Sequence, residues 1–249
     1  MPEGPEVRLM TENYNMSNEI LKEIKFYKYS KIKKSNIKGY NKLKYPMKII
    51  KHFNIGKEIF IKLKEYTIII NLGFGYFSNR ENKYTIIEVK TNKSNILIND
   101  RRKFSSFEII SNKDLNEYID KLGYDPLYYN INFETFYNRY ILRYKSSQEL
   151  YKKLLDQRIF SGSGNYIRCE LIYDSKVNPF CQYDKLSKNS WRKIYKSYNK
   201  ITRRSYYSQK NNKYFEMKVY GRVDKKDVVR IVDNNRSFWY SKSIKYLKC

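Results

Sequence analysis

The chain opens Met-Pro-Glu-Gly-Pro-Glu-Val, and this start concentrates groups able to do covalent chemistry. An initiator Met is usually removed when a small residue such as Pro follows, which would leave Pro2 with a free secondary amine. A free α-amine titrates at about 8, against about 10.4 for a lysine, so a useful fraction is unprotonated and nucleophilic at neutral pH. Attack by such an amine on an electrophilic carbon, for example a sugar C1′, leaves an iminium link, an electron sink that eases the loss of groups further along the sugar. Glu3 and Glu6 are carboxylates beside that amine, and either could serve as general acid. The plain alternative is a turn and a helix start, with Pro5 placed where its missing N–H costs nothing.

The elements that would hold these groups can be read coarsely. From Gly4 to about Met16 the spacing of Val7, Met10 and Tyr14 predicts a short helix with Glu6 in its first turn. From Ile20 to about Ile110 the segments KEIFIKLK, TIIINL, Ile86 to Lys90 and Asn95 to Asn99 are rich in β-branched residues and separated by Gly, Asn and Ser, which predicts an antiparallel β-sandwich. Near Ser111 the texture changes: Leu115, Tyr118, Ile119 and Leu122 have helical spacing, Gly123 stops them, and LGYDPLYYN reads as a connector. Helical patterns then run through FETFYNRYI, SQELYKKLLDQ, NYIRCELIY and LSKNSWRKIYKSY. The tail returns to strands, VVRIV and SFWYSK, around an Asp-Asn-Asn hairpin turn. The expected fold is α+β. An N-terminal helix and β-sandwich fill residues 1–122, a linker 123–131, and a helical domain 132–249, whose end from about 215 is a β-hairpin finger.

The composition constrains the partner. Lys and Arg number 51 against 25 Asp and Glu, a net charge of +26, which draws the chain towards polyanions, nucleic acid first. An AT-rich genome that over-uses Lys would give the same excess without a task. No apolar run approaches the roughly 20 residues needed to cross a bilayer, and the start lacks the order of a signal peptide, so an intracellular, membrane-free protein is expected. Cys169, Cys181 and Cys249 are widely spaced and His52 is the only histidine, so neither a structural zinc site nor a cofactor is expected.

Five segments in one collinear series carry a resemblance. MPEGPEV resembles the start of the formamidopyrimidine-DNA glycosylase and endonuclease VIII family, with PEGPE closer to the endonuclease VIII side. NIGKEIFIKL puts Lys57 at the head of a strand, matching the family lysine that contacts the backbone at the lesion. INLGFGYFS and NDRRKFSSF resemble the loops whose residues fill the hole left by a flipped base, and there Phe74, Arg102 and Phe104 match. A flipped base costs a few kcal/mol of pairing and stacking, which is why a wedge and a donor to the orphaned partner are needed. Asn71, Phe74, Lys103 and Ser105 depart from the usual residues, which bears on opposite-base preference. LLDQRIFSGSGNYIRCELIY resembles the helix-two-turn-helix, where Gly162 and Gly164 would let turn N–H groups and Asn165 approach a phosphate. VYGRVDKKDVVRIVDNNRSFWYSK resembles the family's finger, with Arg222 and Arg236 for phosphates but no cysteine between Tyr220 and Tyr240, hence a zincless finger held by Ile231, Phe238 and Trp239.

The resemblance implies a bifunctional glycosylase and AP lyase. It would flip and excise oxidised pyrimidines or hydantoins through a Pro2 Schiff base, then cut the strand by β,δ-elimination. Its partner would be damaged DNA, double- or single-stranded, met as a monomer wherever that DNA lies: nucleus, viral factory or nucleoid. The short polar link Arg203 to Met217, with only Tyr206, Tyr207, Tyr214 and Phe215 to cover a base, tilts the substrate away from oxidised guanine. The zincless finger and AT-rich composition lean towards a large DNA virus. The competing readings are a glycosylase preferring 8-oxoguanine, a binder that clamps DNA without chemistry, and an RNA-binding module stacking bases on its 17% aromatic residues.

Overall fold

The computed structural model describes residues 1–247; the last two positions, where the expected finger segment ends and Cys249 lies, fall outside the described residues. The chain divides into two compact units, one of Met1–Pro2 and Glu6–Lys121, the other of Glu3–Pro5 and Leu122 onward. Assignment of Glu3–Pro5 to the second unit has no local signal in the sequence.

Helix α1 is Gly4–Asn13, and from Glu6 onward it belongs to the first unit. It stops short of the expected Met16 because the Met16 N–H is donated to His52 Nδ1 at 3.3 Å rather than to the preceding helical turn. Nine strands follow: β1 (Ile20–Phe26), β2 (Met47–Lys48), β3 (Lys51–Ile55), β4 (Glu58–Lys62), β5 (Tyr66–Asn71), β6 (Tyr76–Ser78), β7 (Thr85–Thr91), β8 (Asn95–Asn99) and β9 (Ser106–Ser111). They form two antiparallel sheets, ordered β2-β1-β7-β8-β6 and β3-β4-β5-β9. The β4–β5 register pairs Ile59 with Ile70 and Ile61 with Ile68, so one face of that sheet offers a row of isoleucines to the core. There they meet Leu21, Ile24, Ile87, Val89 and Ile98 of the other sheet and Val7 of α1, all essentially buried. Each such side chain contributes roughly 1.5–3 kcal/mol of burial. Helix α2 (Leu115–Asp120) closes the unit.

The second unit holds α3 (Phe133–Phe136), α4 (Leu150–Lys153), α5 (Asn165–Ser175), α6 (Lys188–Lys210) and the hairpin of β10 (Val228–Asp233) and β11 (Arg236–Ser241). Helix α4 is far shorter than the pattern SQELYKKLLDQ predicts, and its first N–H groups bond the carbonyls of Cys181 and Pro179. Helix α6 is longer: Ile194, Tyr198, Ile201 and Ser205 continue one buried stripe past the expected end, so the helix runs to Lys210. The presumed polar link from Arg203 is therefore helical over its first half, and Tyr206 is buried on it. The hairpin turn is as expected: Asn234 and Asn235 have φ of 47° and 60°, the two left-handed residues a tight hairpin requires. Phe238 of β11 is fully buried among the helices of its unit. Among the described residues no helix is long and apolar enough to cross a membrane.

Candidate functional site

The N-terminal segment is docked on the turn before α5. Glu3 is 4% exposed, and its two carboxylate oxygens accept the Tyr166 N–H at 2.9 Å and the Ile167 N–H at 3.2 Å. Gly4 N–H donates to the Gly162 carbonyl at 2.9 Å. The turn itself is closed by Gln157, which accepts from Gly162 N–H and donates to the carbonyls of Leu155 and Ser163. Gly162 has φ +96°, a left-handed conformation that favours glycine. Gly164 does not; its backbone is extended. A Cβ there would stand 2.3 Å from Glu3 Cδ, so glycine is required by the carboxylate and not by the backbone angle. This corrects the sequence reading: the Tyr166 and Ile167 N–H groups of the helix N-terminus hold Glu3 instead of facing a phosphate, and Asn165, half-buried at the first helical position, is left as the turn's polar side chain. A helix N-terminus stabilises negative charge, which suits a carboxylate there.

Three candidates lie in the first unit. Pro2 is half-buried, Glu6 is half-buried in the first turn of α1, and Lys57 is half-buried directly after Gly56, whose φ of +57° makes the tight β3–β4 turn. The void-filling candidates form one cluster. The Arg102 guanidinium lies 4.2 Å from the Phe74 ring centre and 5.2 Å from that of Phe104, and the two rings are 5.6 Å apart. Phe104 is 56% exposed, so its ring is presented to solvent and not packed into the core.

That cluster has a foundation not singled out from the sequence. Asp100 is fully buried and accepts the N–H groups of Arg102, Phe104 and Ser105 at 2.7–2.9 Å, together with the Ser105 hydroxyl. Ser105 also donates to the Leu72 carbonyl, tying this loop to the one carrying Phe74. Gly73, φ +55°, lies against Phe104 so closely that a Cβ would be 2.7 Å from its backbone. Asn71 donates to Glu58 and accepts the Gly73 N–H, which fixes the start of the Phe74 loop. Burial raises the Glu58 carboxyl above its ordinary range.

The finger is held by two buried charges that the sequence reading passed over. Arg168, 2% exposed, donates to the carbonyls of Tyr151 and Ser237 at 3.1 and 2.9 Å. Glu170, also 2% exposed, accepts the N–H groups of Lys218, Val219 and Tyr220 at 2.8–2.9 Å. Between them the Cys169 thiol, pushed up to about 12 by burial, accepts the Trp239 N–H. Arg236 is exposed at the start of β11 and lines a cavity of about 510 Å³ with Lys152, Lys153, Arg168, Asn234 and Asp156. Burial opposes charge on Asp156, but hydrogen bonds from Arg158 and Lys153 hold its carboxyl well below the usual carboxylate range. Arg222 is occupied elsewhere: it bonds Asp224 through two nitrogens and the Met217 carbonyl through a third. No local pattern singles out Arg168 and Glu170, because the whole stretch from Tyr166 to Ile172 is buried and the helix has no polar face for them to depart from.

Comparisons with known proteins place this arrangement. A family model described as the formamidopyrimidine-DNA glycosylase H2TH domain matches residues 122–214. The formamidopyrimidine-DNA glycosylase of Mycoplasmopsis pulmonis is 30% identical over 214 residues, covering 79% of this chain and 74% of the relative. That of Ureaplasma parvum is 26% identical over 215 residues, covering 81% and 77%. The MutM (Fpg) structure from Thermus thermophilus superposes with a TM-score of 0.80 at 18% identity over 98% of each chain. A complex of Lactococcus lactis Fpg with abasic-site DNA gives 0.77 at 18% identity, covering 96% of this chain and 97% of that one. The class is DNA glycosylase, an enzyme of base excision repair. The chain belongs to the formamidopyrimidine-DNA glycosylase family.

Proposed function

We infer that this glycosylase is also an AP lyase, and that its nucleophile is the secondary amine of Pro2. The observation that carries the reading is the anchoring of the next residue: both oxygens of Glu3 are bound by N–H groups of α5, so the chain is fixed one residue from the amine. The amine attacks C1′ of the damaged nucleotide, and the base departs with the electron pair of the glycosidic bond. A carboxylate of the same segment, Glu3 or Glu6, gives a proton to the sugar ring oxygen or to the leaving base, a contribution typically of about 10²–10⁴. The iminium then acidifies C2′, so the 3′ phosphate and afterwards the 5′ phosphate are eliminated.

The other candidates take supporting roles. Lys57 contacts the backbone at the lesion, Phe74, Arg102 and Phe104 fill the vacated stack, and Asn165 and Arg236 hold phosphates. Arg222 reaches a phosphate only by leaving Asp224, so the grip is assigned chiefly to Arg236. We read the two units as two domains meeting one damaged DNA as a monomer.

Oxidised pyrimidines and hydantoins are the preferred substrates. In support, the segment left to cover a base is only that after Lys210, and Lactococcus lactis Fpg has been crystallised with DNA containing an oxidised pyrimidine. A second reading, ring-opened purines, is favoured by the name of the curated relatives and by a complex of a Lactococcus lactis Fpg mutant with Fapy-dG DNA. Relative excision rates on the two lesions decide between them. Borohydride should trap the chain on abasic DNA, and an uncleaved N-terminal extension should abolish the trap; trapping by the extended protein would overturn the role of Pro2.

A further inference from the structure

Helix α6 carries eight Lys and Arg and no acidic residue in 23 positions. Arg192, Lys196, Lys200 and Arg204 follow one another at four-residue intervals, so like charges stack along one ridge and each pair costs a few tenths of a kcal/mol. Neighbouring carboxylates relieve part of this. Glu134 pairs with Lys188 and Arg192 at 2.7 and 3.2 Å, and Asp174 pairs with Lys200 at 2.5 Å. Among the described residues Lys196 and Arg204 have no carboxylate partner. Towards its end the helix opens a shallow cavity of about 370 Å³, lined by Lys200, Arg203, Arg204, Tyr207, Asn211 and Lys213. Tyr207 is 57% exposed there, and Tyr214, just beyond the helix, is 81% exposed. Two large aromatic rings left in water beside several cations, of which among the described residues only Lys200 is shared with a carboxylate, form the pairing that binds unpaired nucleic acid, with phosphates on the cations and bases stacked on the rings.

We propose that the solvent face of α6 is a second nucleic-acid site that takes an unpaired DNA strand, its phosphates on Lys196, Lys200 and Arg204 and a base on Tyr207. The three cations span eight residues, about 12 Å at 1.5 Å per residue. Exposed ring faces favour a single strand, because the bases of a duplex are already stacked on one another. The inference rests on the charge and exposure of this helix, not on the role of Pro2, so either can fail alone.

The test uses the full chain, an undamaged oligothymidylate and a short lesion-containing duplex. Replacing Lys196, Lys200 and Arg204 by Gln should weaken oligothymidylate binding and lower its salt-dependence slope by about 2, at roughly 0.7 per phosphate contact. Excision from the short duplex should be unchanged. Tyr207→Ala should weaken oligothymidylate binding about tenfold with no change of slope, since stacking carries no counterion; this single variant also serves if the triple one fails to fold. An unchanged slope, an equal loss of affinity for undamaged duplex, or a parallel loss of excision from the short duplex would each overturn the proposal.

Discussion

The loop of Arg102 and the finger of Arg236 each present an exposed arginine, but they are held in opposite ways. The loop hangs on one buried carboxylate, Asp100, whose hydrogen-bond partners on its own loop lie within five residues along the chain. The finger hangs on Arg168 and Glu170, whose partners within the finger segment are 48 to 69 residues away. Local cross-linking makes a loop whose shape survives changes elsewhere; long-range anchoring makes the finger's shape depend on the integrity of its whole unit. In a finger without cysteine ligands, the buried ions supply the anchoring that local chemistry does not.

The largest break in this comparison should come from Glu170→Ala. It strips the acceptor from three N–H groups, each costing about 1–3 kcal/mol if left buried and unpaired. We expect a loss above about 3 kcal/mol in denaturant unfolding, and a loss below about 1 would show that the finger is held otherwise. Second comes acid. Burial lowers the His52 imidazole from its ordinary 6.5 to about 4, so the fold keeps it neutral while the unfolded chain takes up a proton. Its contribution is fully present above pH 6.5 and is lost as pH falls towards 4, about 3 kcal/mol in all. Stability of the first unit should fall through that window, and His52→Leu should flatten the fall; a wild-type curve with no slope there would refute the assignment.

Asp100→Ala should be milder, about 2 kcal/mol, because its backbone partners lie within five residues on one loop that can rearrange locally and admit water. The loop cluster would loosen, so base excision should drop more than cleavage of preformed abasic sites. Equal losses would mean the cluster does not act at base flipping. The smallest change in stability belongs to Arg236→Ala, whose side chain is exposed: the melting temperature should hold while activity falls about tenfold or more, as for loss of a charged donor worth roughly 1.5–3 kcal/mol. A shifted melting temperature would instead make Arg236 part of the anchoring.

What the sequence by itself determined is what neighbouring residues decide. The β-branched runs set the strands, Asn234 and Asn235 set the hairpin turn, and the series of motifs identified the family, because each signal is complete within a few residues. The departures at Asn71 and Ser105 were visible too, but their work was not: one bonds Glu58 and Gly73, the other Leu72 and Asp100. Only the tertiary structure ended α1 early on His52 and carried α6 to Lys210 along a buried stripe. It also decided what Glu3 does. Its partners are more than 160 residues away in the chain, and the reason Gly164 must be glycine is a carboxylate that no local pattern could place beside it. Interactions closed by long loops leave no periodicity to read; they exist only once the chain has folded.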